Sequence, residues 1–268
     1  MLASTGSRLN AGSQEFVPEY RVDASERDWT GDIKSYRINS DGSRGSLLWS
    51  ARDRLAMANP ATRRIYTTAV PGAAGTLQVA AFDELAFGTT RADQVAALGL
   101  TTGQVDTRFS PTTTGEQLFD YLRGVRTLEQ AQPGGVFRNR SALIGSIINS
   151  EPRLAQRTDV FRWINVAELR NDYRTFVEAK RADTSRPNTL FVGSNNGKLH
   201  AFDAATGDEV FAFVPASARL QMGQLPDPTF THRFLVDGDV NVVDARIGGQ
   251  WGTVLVGSAG RGGSSVFA

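Results

Sequence analysis

The chain of 268 residues is almost neutral, with 29 Lys and Arg residues against 28 Asp and Glu residues and a formal net charge of +1. This balance lacks the basic footprint expected of a protein that binds nucleic acid or a membrane surface. There is no cysteine, which excludes disulfides, thiolate metal sites and thiol catalysis. Hydrophobic residues make up 40% of the chain, enough for one large β domain or two small ones, so wholesale disorder is not expected.

The sequence contains no apolar run of about 18 residues, so it predicts no membrane span. Its first residues, MLASTGSRLNAGSQEF, lack the basic and apolar regions of a signal peptide. Any signal for export is therefore expected upstream of this chain. Residues 1–15 are rich in Ser and Gly and are predicted to be a disordered N-terminal segment, followed by a β domain over residues 16–268.

In chain order, residues 16–49 alternate in the manner of strands, with a turn at Asp41-Gly42. Two short helices are predicted at 90–98 and 115–123, the second with a helical apolar face. Residues 142–148 (ALIGSII) are predicted to form a buried strand.

A longer amphipathic helix is predicted at about 165–182, inserted between strands. Two interpretations of this insertion stay open. It could bind a partner, as insertions in repeat folds often do, or it could cap an open sheet edge.

The clearest pattern lies at residues 188–214, where three short strand-like runs are joined by two tight turns, SNNG and DAATG. Small antiparallel meanders of this kind build propeller blades, since each buries its faces only against its neighbours. The pattern recurs: residues 31–36 (GDIKSY) match 197–202 (GKLHAF), and residues 253–258 (TVLVGS) match 189–194 (TLFVGS). The predicted fold is therefore mainly β, a partial or modified β-propeller of meander blades with inserted short helices.

A set of motifs, taken in order, is similar to the PilY-type type IV pilus tip-protein family from about residue 16 to the end. The motifs are residues 29–36 (WTGDIKSY), 118–124 (LFDYLRG), 137–141 (FRNRS), 147–152 (IINSEP), 192–207 (VGSNNGKLHAFDAATG), 231–238 (THRFLVDG) and 251–257 (WGTVLVG). The blade motif alone is weak evidence because quinoprotein-type propellers share it. The ordered set is more specific.

The resemblance implies a truncated, modified β-propeller from the C-terminal region of a large exported protein. Such proteins are non-enzymatic and support pilus assembly, surface attachment and twitching motility. Their expected location is extracytoplasmic, in the periplasm, at the pilus tip or on the cell surface, and their expected partners are pilin-like proteins or a host or abiotic surface. The family's calcium loop lies after the matched region. Calcium is therefore possible in the full-length protein, and no cofactor is expected in this chain.

Metal and catalytic candidates in the sequence are weak. Asp237, Asp239 and Asn241 place oxygen atoms at alternate positions, but this segment lacks the central Gly and final Glu of a calcium loop, so a turn entering a strand is the better interpretation. Two histidines, His200 and His232, make a poor zinc site without cysteine. No Gly-x-Ser-x-Gly elbow is present, and no catalytic residue is predicted.

Three hypotheses for function follow from these patterns. The first is a structural and adhesive module of a pilus-tip protein. The second is a fragment of a quinoprotein dehydrogenase that uses pyrroloquinoline quinone, although the vicinal cysteines expected of that class are missing. The third is an outer-membrane assembly scaffold with a similar propeller.

We predict that this chain has no micromolar affinity for calcium, because its acidic turn at 237–241 lacks the bidentate carboxylate that closes a calcium loop. Calorimetric titration of the purified chain checks this, with the Asp239→Asn variant as control. Heat of binding with a micromolar dissociation constant that disappears in the variant would contradict the prediction.

Overall fold

The computed structural model describes residues 2–4, 9–23, 27–69 and 78–268. The strands are β1 (Leu2–Ser4), β2 (Leu9–Ala11), β3 (Gln14–Arg21), β4 (Thr30–Ile38), β5 (Arg44–Ser50), β6 (Ile65–Ala69), β7 (Gln78–Ala81), β8 (Arg153–Ala155), β9 (Thr189–Ser194), β10 (Lys198–Asp203), β11 (Glu209–Val214), β12 (Val240–Ile247), β13 (Gln250–Ser258) and β14 (Val266–Phe267). The α-helices are α1 (Ala51–Met57), α2 (Arg91–Ala97), α3 (Thr102–Arg108), α4 (Gly115–Arg123), α5 (Arg170–Ala182) and α6 (Ala216–Met222). Short 3₁₀ turns lie at Pro60–Thr62, Glu84–Phe87, Arg162–Asn165 and Gly260–Gly262.

The strands form three sheets. The first has the order β1-β3-β4-β5, with β2 also paired to β3; the second is β7-β6-β11-β10-β9-β8; the third is β12-β13-β14. Pairing is antiparallel except between β6 and β11, which run parallel. The described residues are therefore mainly β with inserted helices, as predicted. They do not close into a propeller ring, and the partial propeller stays a proposal.

The predicted disorder of residues 1–15 is wrong for the described part of that segment. Residues 2–4 and 9–11 form β1 and β2, and β3 begins at Gln14. Both short strands pair with β3, so backbone pairing to a neighbouring strand orders a Ser- and Gly-rich sequence. Residues 1 and 5–8 lie outside the described residues.

The meander predicted at 188–214 is present as β9, β10 and β11. Its turns use the expected chemistry. Gly197 and Gly207 adopt φ of 84° and 77°, a conformation that favours glycine. The Asp203 carboxylate accepts a hydrogen bond from the Ala205 N–H at 2.8 Å, which makes the second turn an Asx turn.

Trp49, at the end of β5, joins the first sheet to this meander. Its indole Nε1 donates to the Ala204 carbonyl at 3.1 Å. A side chain on Gly207 would meet the same indole at 2.5 Å, so the glycine also makes room for the ring. Around Trp49 lies a core cluster that includes Phe16, Ile33 and Phe202, all fully buried. The two sheets thus share one core.

Residues 142–148 are buried but do not form the predicted strand. One isolated bridge joins Thr30 to Gly145, and most of the segment's hydrogen bonds go to the β9–β10 hairpin instead. The Gly145 carbonyl accepts from the Ser194 hydroxyl at 3.0 Å, and the Ser146 carbonyl accepts from the Asn195 N–H at 3.0 Å. Side chains and a turn therefore replace the ladder that a strand would need.

The two predicted short helices are confirmed as α2 and α4. A capping box begins α4. The Thr114 hydroxyl accepts from the Gln117 N–H at 3.2 Å, and the Gln117 side-chain oxygen accepts from the Thr114 N–H at 2.9 Å. Helices α2, α3, α4 and α6 pack with β6 and β11 around a second core cluster that includes Phe82, Phe119 and Leu118. Helices α1, α3 and α6, each of seven residues, were not predicted.

The helix predicted at about 165–182 begins later than expected, at Arg170, and follows a 3₁₀ turn at Arg162–Asn165. Its inner face packs on β12 and β13 around the fully buried carboxylate of Asp244. The Lys180 ammonium and the Tyr173 hydroxyl donate to Asp244 at 2.6 and 2.8 Å, and Trp251 packs against Tyr173 with the rings tilted by 52° and their centroids 4.8 Å apart. Burial and the bond to Asp244 raise the pKa of Tyr173 to about 12. The helix therefore covers the third sheet, which favours the capping interpretation over a free binding arm.

Phe202→Ala should destabilise the chain by about 3–5 kcal/mol, because the ring is fully buried between the two sheets and its loss leaves a cavity. Guanidinium unfolding measures this. Leu85→Ala is the matched control: Leu85 is 69% exposed, so its loss should cost about 0.5 kcal/mol or less. Equal midpoints for the two variants would contradict this placement of Phe202. Trp251 is only half-buried, so Trp251→Ala should destabilise the chain less than Phe202→Ala does.

Asp244→Asn should destabilise the chain by about 3–5 kcal/mol, because it leaves the buried Lys180 ammonium without its counter-charge. The control is Glu151→Gln, which removes an exposed partner of Arg153 at 3.4 Å and should cost about 1 kcal/mol or less. Both are measured by chemical unfolding. A loss in Asp244→Asn no larger than in the control would show that α5 is held by packing alone.

Candidate functional site

A polar cluster, buried at Ser146, Asn195 and Asp237, lies where the β9–β10 hairpin meets the 142–150 loop and the loop that precedes β12. We call it the hairpin junction and define it by Ser146, Asn149, Asn195, His232 and Asp237. The turn between β9 and β10 positions Asn195, and hydrogen bonds to this turn hold the irregular 142–150 loop. The junction collects side chains from three motifs that are far apart in sequence.

Asp237 and Asn195 are the centre of the junction. The Asp237 carboxylate, 1% exposed, accepts from the Asn195 amide at 3.1 Å, from the Asn149 N–H at 3.3 Å and from the Asn149 amide. The Asn195 side-chain oxygen accepts from the Leu235 N–H at 2.9 Å. A buried carboxylate that receives several N–H groups is satisfied without a cation.

His232 closes one side of the junction. Its Nε2 lies 2.9 Å from the Ser146 hydroxyl, and its ring stacks on Trp29 with centroids 4.1 Å apart. Phe234 meets the same ring edge-on at 5.1 Å. Burial lowers the pKa of His232 to about 4, against the attraction of the Asp237 carboxylate. The imidazole is therefore neutral at physiological pH and acts as a hydrogen-bonding aromatic ring.

The Ser146–His232 pair resembles part of a catalytic triad, but its surroundings do not support hydrolysis. Among the described residues, no carboxylate hydrogen-bonds to the imidazole Nδ1, so the base has no orienting group. The Ser146 residue is fully buried, and its hydroxyl also accepts from the Asn195 amide at 3.2 Å. A substrate could not reach this oxygen without displacing the hairpin.

His200 belongs to a second buried network beside the junction. Its Nδ1 lies 2.7 Å from the Glu209 carboxylate, which Arg63 clamps with two bonds of 2.7 and 2.9 Å. Burial would raise the pKa of Glu209, but the Arg63 guanidinium and the bond from His200 outweigh it and hold that pKa well below its usual range. Burial lowers the pKa of His200. The network ties β10 and β11 to the segment that enters β6.

The weak metal candidates do not converge. Asp237 points into the junction, whereas Asp239 and Asn241 are exposed, the latter on β12. Within the described ranges, no group of three His, Cys, Asp or Glu residues is close enough to hold a metal ion. The segment instead bends at Gly238 and enters β12 at Val240, so the predicted strand is present and the step before it is a bend.

A separate cleft of about 840 Å³ is lined by residues of the second and third sheets and of neighbouring loops. Aromatic rings line it, with several arginines at its rim. The aromatic residues are Tyr66, Phe191, Phe211, Phe213 and Phe267.

None of the helices among the described residues has the length and hydropathy that a membrane-spanning helix requires.

Sequence reasoning missed most of the junction. Asn195 and Ser146 were quoted only as parts of motifs, and neither was predicted to bond to the other. One signal was present: two consecutive asparagines in a tight turn, and an Asn-Ser pair at 149–150 directly after an apolar run. Short polar side chains at such places bond to backbone and to one another more often than they bind ligands.

Comparison with known proteins agrees with the motif order. The family profile of the PilY1 beta-propeller domain matches residues 144–268. A type IV pilus biogenesis factor PilY1 homolog of Xylella fastidiosa is 32% identical over 284 residues, covering 100% of this chain and 19% of that protein. Type IV pilus biogenesis factor PilY1 of Pseudomonas aeruginosa strain PAK is 33% identical over 252 residues, covering 91% of this chain and 20% of its own length.

The chain thus spans about a fifth of the length of these relatives. No solved structure gives a significant match. The recurring meander, the ordered motifs and the matched profile agree with one another: the chain belongs to the PilY1-type family of type IV pilus biogenesis proteins, and residues 144–268 correspond to its beta-propeller domain.

Proposed function

We propose that this chain is a non-enzymatic scaffold module of a protein that supports type IV pilus assembly, surface attachment and twitching motility. The observation that carries the proposal is similarity along the whole chain to proteins named as type IV pilus biogenesis factors. In this proposal the protein works outside the cytoplasm, and its partners are pilin-like proteins or a host or abiotic surface.

The chemistry of the buried polar groups supports a scaffold. At the hairpin junction, Asp237 and Asn195 direct their polar atoms to one another and to neighbouring loops. The same holds for the clamp of Arg63 on Glu209 and for Lys180 on Asp244. Each of these contacts joins chain segments that are distant in sequence, which is the work of structural groups. No specific observation favours the quinone dehydrogenase alternative.

A chimera tests the proposal in a living pilus system. The segment of the Pseudomonas aeruginosa factor that aligns with this chain is replaced by this chain, and the hybrid gene is expressed in a strain that lacks its own copy. We expect surface pili, counted by shearing and immunoblotting, to return to at least about half of the level given by the parent gene. Twitching zones and attachment to glass are measured on the same strains.

The matched control is the same chimera with Phe202→Asp, which places a charge in the shared core and should abolish the gain. A hybrid protein that is exported and stable but leaves pili at the level of the deletion strain would contradict the assembly role. Restored pili without twitching or attachment would contradict those two parts of the proposal only.

A further inference from the structure

A second, smaller cavity of about 40 Å³ lies beside the hairpin junction. Residues from several chain segments line it, among them 28–30 before and in β4, 138–145, and the hairpin residues 195–198. A space of about 10–15 Å³ by this measure holds one water molecule, so this cavity accommodates about three waters or one small ion. It is large enough to be occupied and too small for a cofactor.

Lys198, the first residue of β10, lines this cavity. It is 3% exposed, yet its ammonium makes no hydrogen bond, ion pair or cation–π contact with any described residue. The chain's other two lysines differ. Lys34 binds Glu19 at 2.7 Å, and Lys180 binds Asp244 at 2.6 Å. Lys198 therefore carries three N–H donors without an acceptor among the described residues, beside a space that water-sized molecules can occupy.

The charges around the cavity do not balance. Three arginines that line it each have one carboxylate partner: Arg63 has Glu209, Arg140 has Glu129 and Arg138 has Asp28.

Two further cations have no ion pair among the described residues. One is Lys198. The other is Arg123, which does not line the cavity and whose guanidinium bonds to the backbone carbonyls of Phe82, Pro60 and Arg63. Four cations that line the cavity thus have three carboxylate partners, which leaves Lys198 as the lining cation without a partner among the described residues, and uncompensated charge is costly where solvation is poor.

Burial is the main reason that the pKa of Lys198 lies well below its ordinary value. The nearby Arg63 lowers this pKa further, and Glu209 raises it. Arg140 and Arg123 add to the lowering. The amine can respond in two ways. It can stay neutral and bond to trapped water, or it can be charged with an anion beside it. The arginines cannot lose their protons, so the positive field in the cavity remains in either case. That field favours the anion.

We propose that the cavity binds a single small monovalent anion of the size of chloride, and that Lys198 is its principal ligand. The anion neutralises the charge of Lys198. It also joins the start of β4, the 138–145 segment and the hairpin at one point. This site goes beyond the scaffold role, and its test is independent of pilus assembly.

Crystals of the full chain grown or soaked in sodium bromide provide the direct test, since bromide replaces chloride and scatters X-rays anomalously. We expect an anomalous peak in the cavity, next to the Lys198 Nζ. Density for water alone, with no anomalous signal at saturating bromide, would overturn the proposal. This measurement uses the unmodified chain and does not depend on any variant that folds.

Thermal unfolding gives the second test. Chloride and gluconate are compared at equal ionic strength, because gluconate is too large for the cavity and screens charge equally. We expect Tm to be about 2–4 °C higher in saturating chloride, the size of shift that ligand binding to the native state gives. The shift should vanish in Lys198→Met, which keeps an unbranched side chain without the charge.

Lys34→Met is the matched control, because it removes the same charge from a partly exposed lysine outside the cavity. It should keep the difference between chloride and gluconate. Equal Tm values of the unmodified chain in the two salts would overturn the proposal. So would a chloride shift that survives in Lys198→Met.

Discussion

The structure depends on one constraint: the polar groups of the β9–β10 turn are buried and must find partners inside the protein. Asn195 is 4% exposed and Ser194 is fully buried, so water cannot satisfy them. Their partners come from the 142–150 loop and from the loop at 235–237. Those loops are ordered because the turn needs them, and they in turn fix where β4 and β12 begin. A tight turn, usually a surface feature, here becomes the point at which the sheets meet.

The sequence predicted the local elements well and the long-range contacts poorly. The meander at 188–214 and the helices α2 and α4 were found because alternation, turn glycines and helix caps are local signals. Helix α3 also carries such a signal, a capping box between Thr101 and Gln104, but its seven residues offer little periodicity. The 142–148 segment was mistaken for a strand because a buried apolar run has the same composition whether a ladder or side chains satisfy its backbone.

The polar sites could not be derived from sequence in the same way. The bond between Ser146 and His232 joins residues 86 positions apart, and the clamp of Arg63 on Glu209 joins residues 146 positions apart. No spacing rule connects such pairs. Resemblance to a family placed the motifs in order but did not say which side chains would meet. Lys198 shows the limit most clearly, since as a sequence position it is an ordinary strand residue next to a glycine.

The parallel pairing of β6 with β11 has a consequence for how the protein is made. The Thr67 hydroxyl bonds to the Val214 carbonyl across 147 residues, so the second sheet is completed by a strand from early in the chain. Such non-local contacts slow folding, because a long loop must close before they form. Until β11 pairs with it, β6 has one unpaired edge, which another chain can bind. We therefore expect folding to be limited by the pairing of β6 with β11 rather than by the formation of the local hairpins.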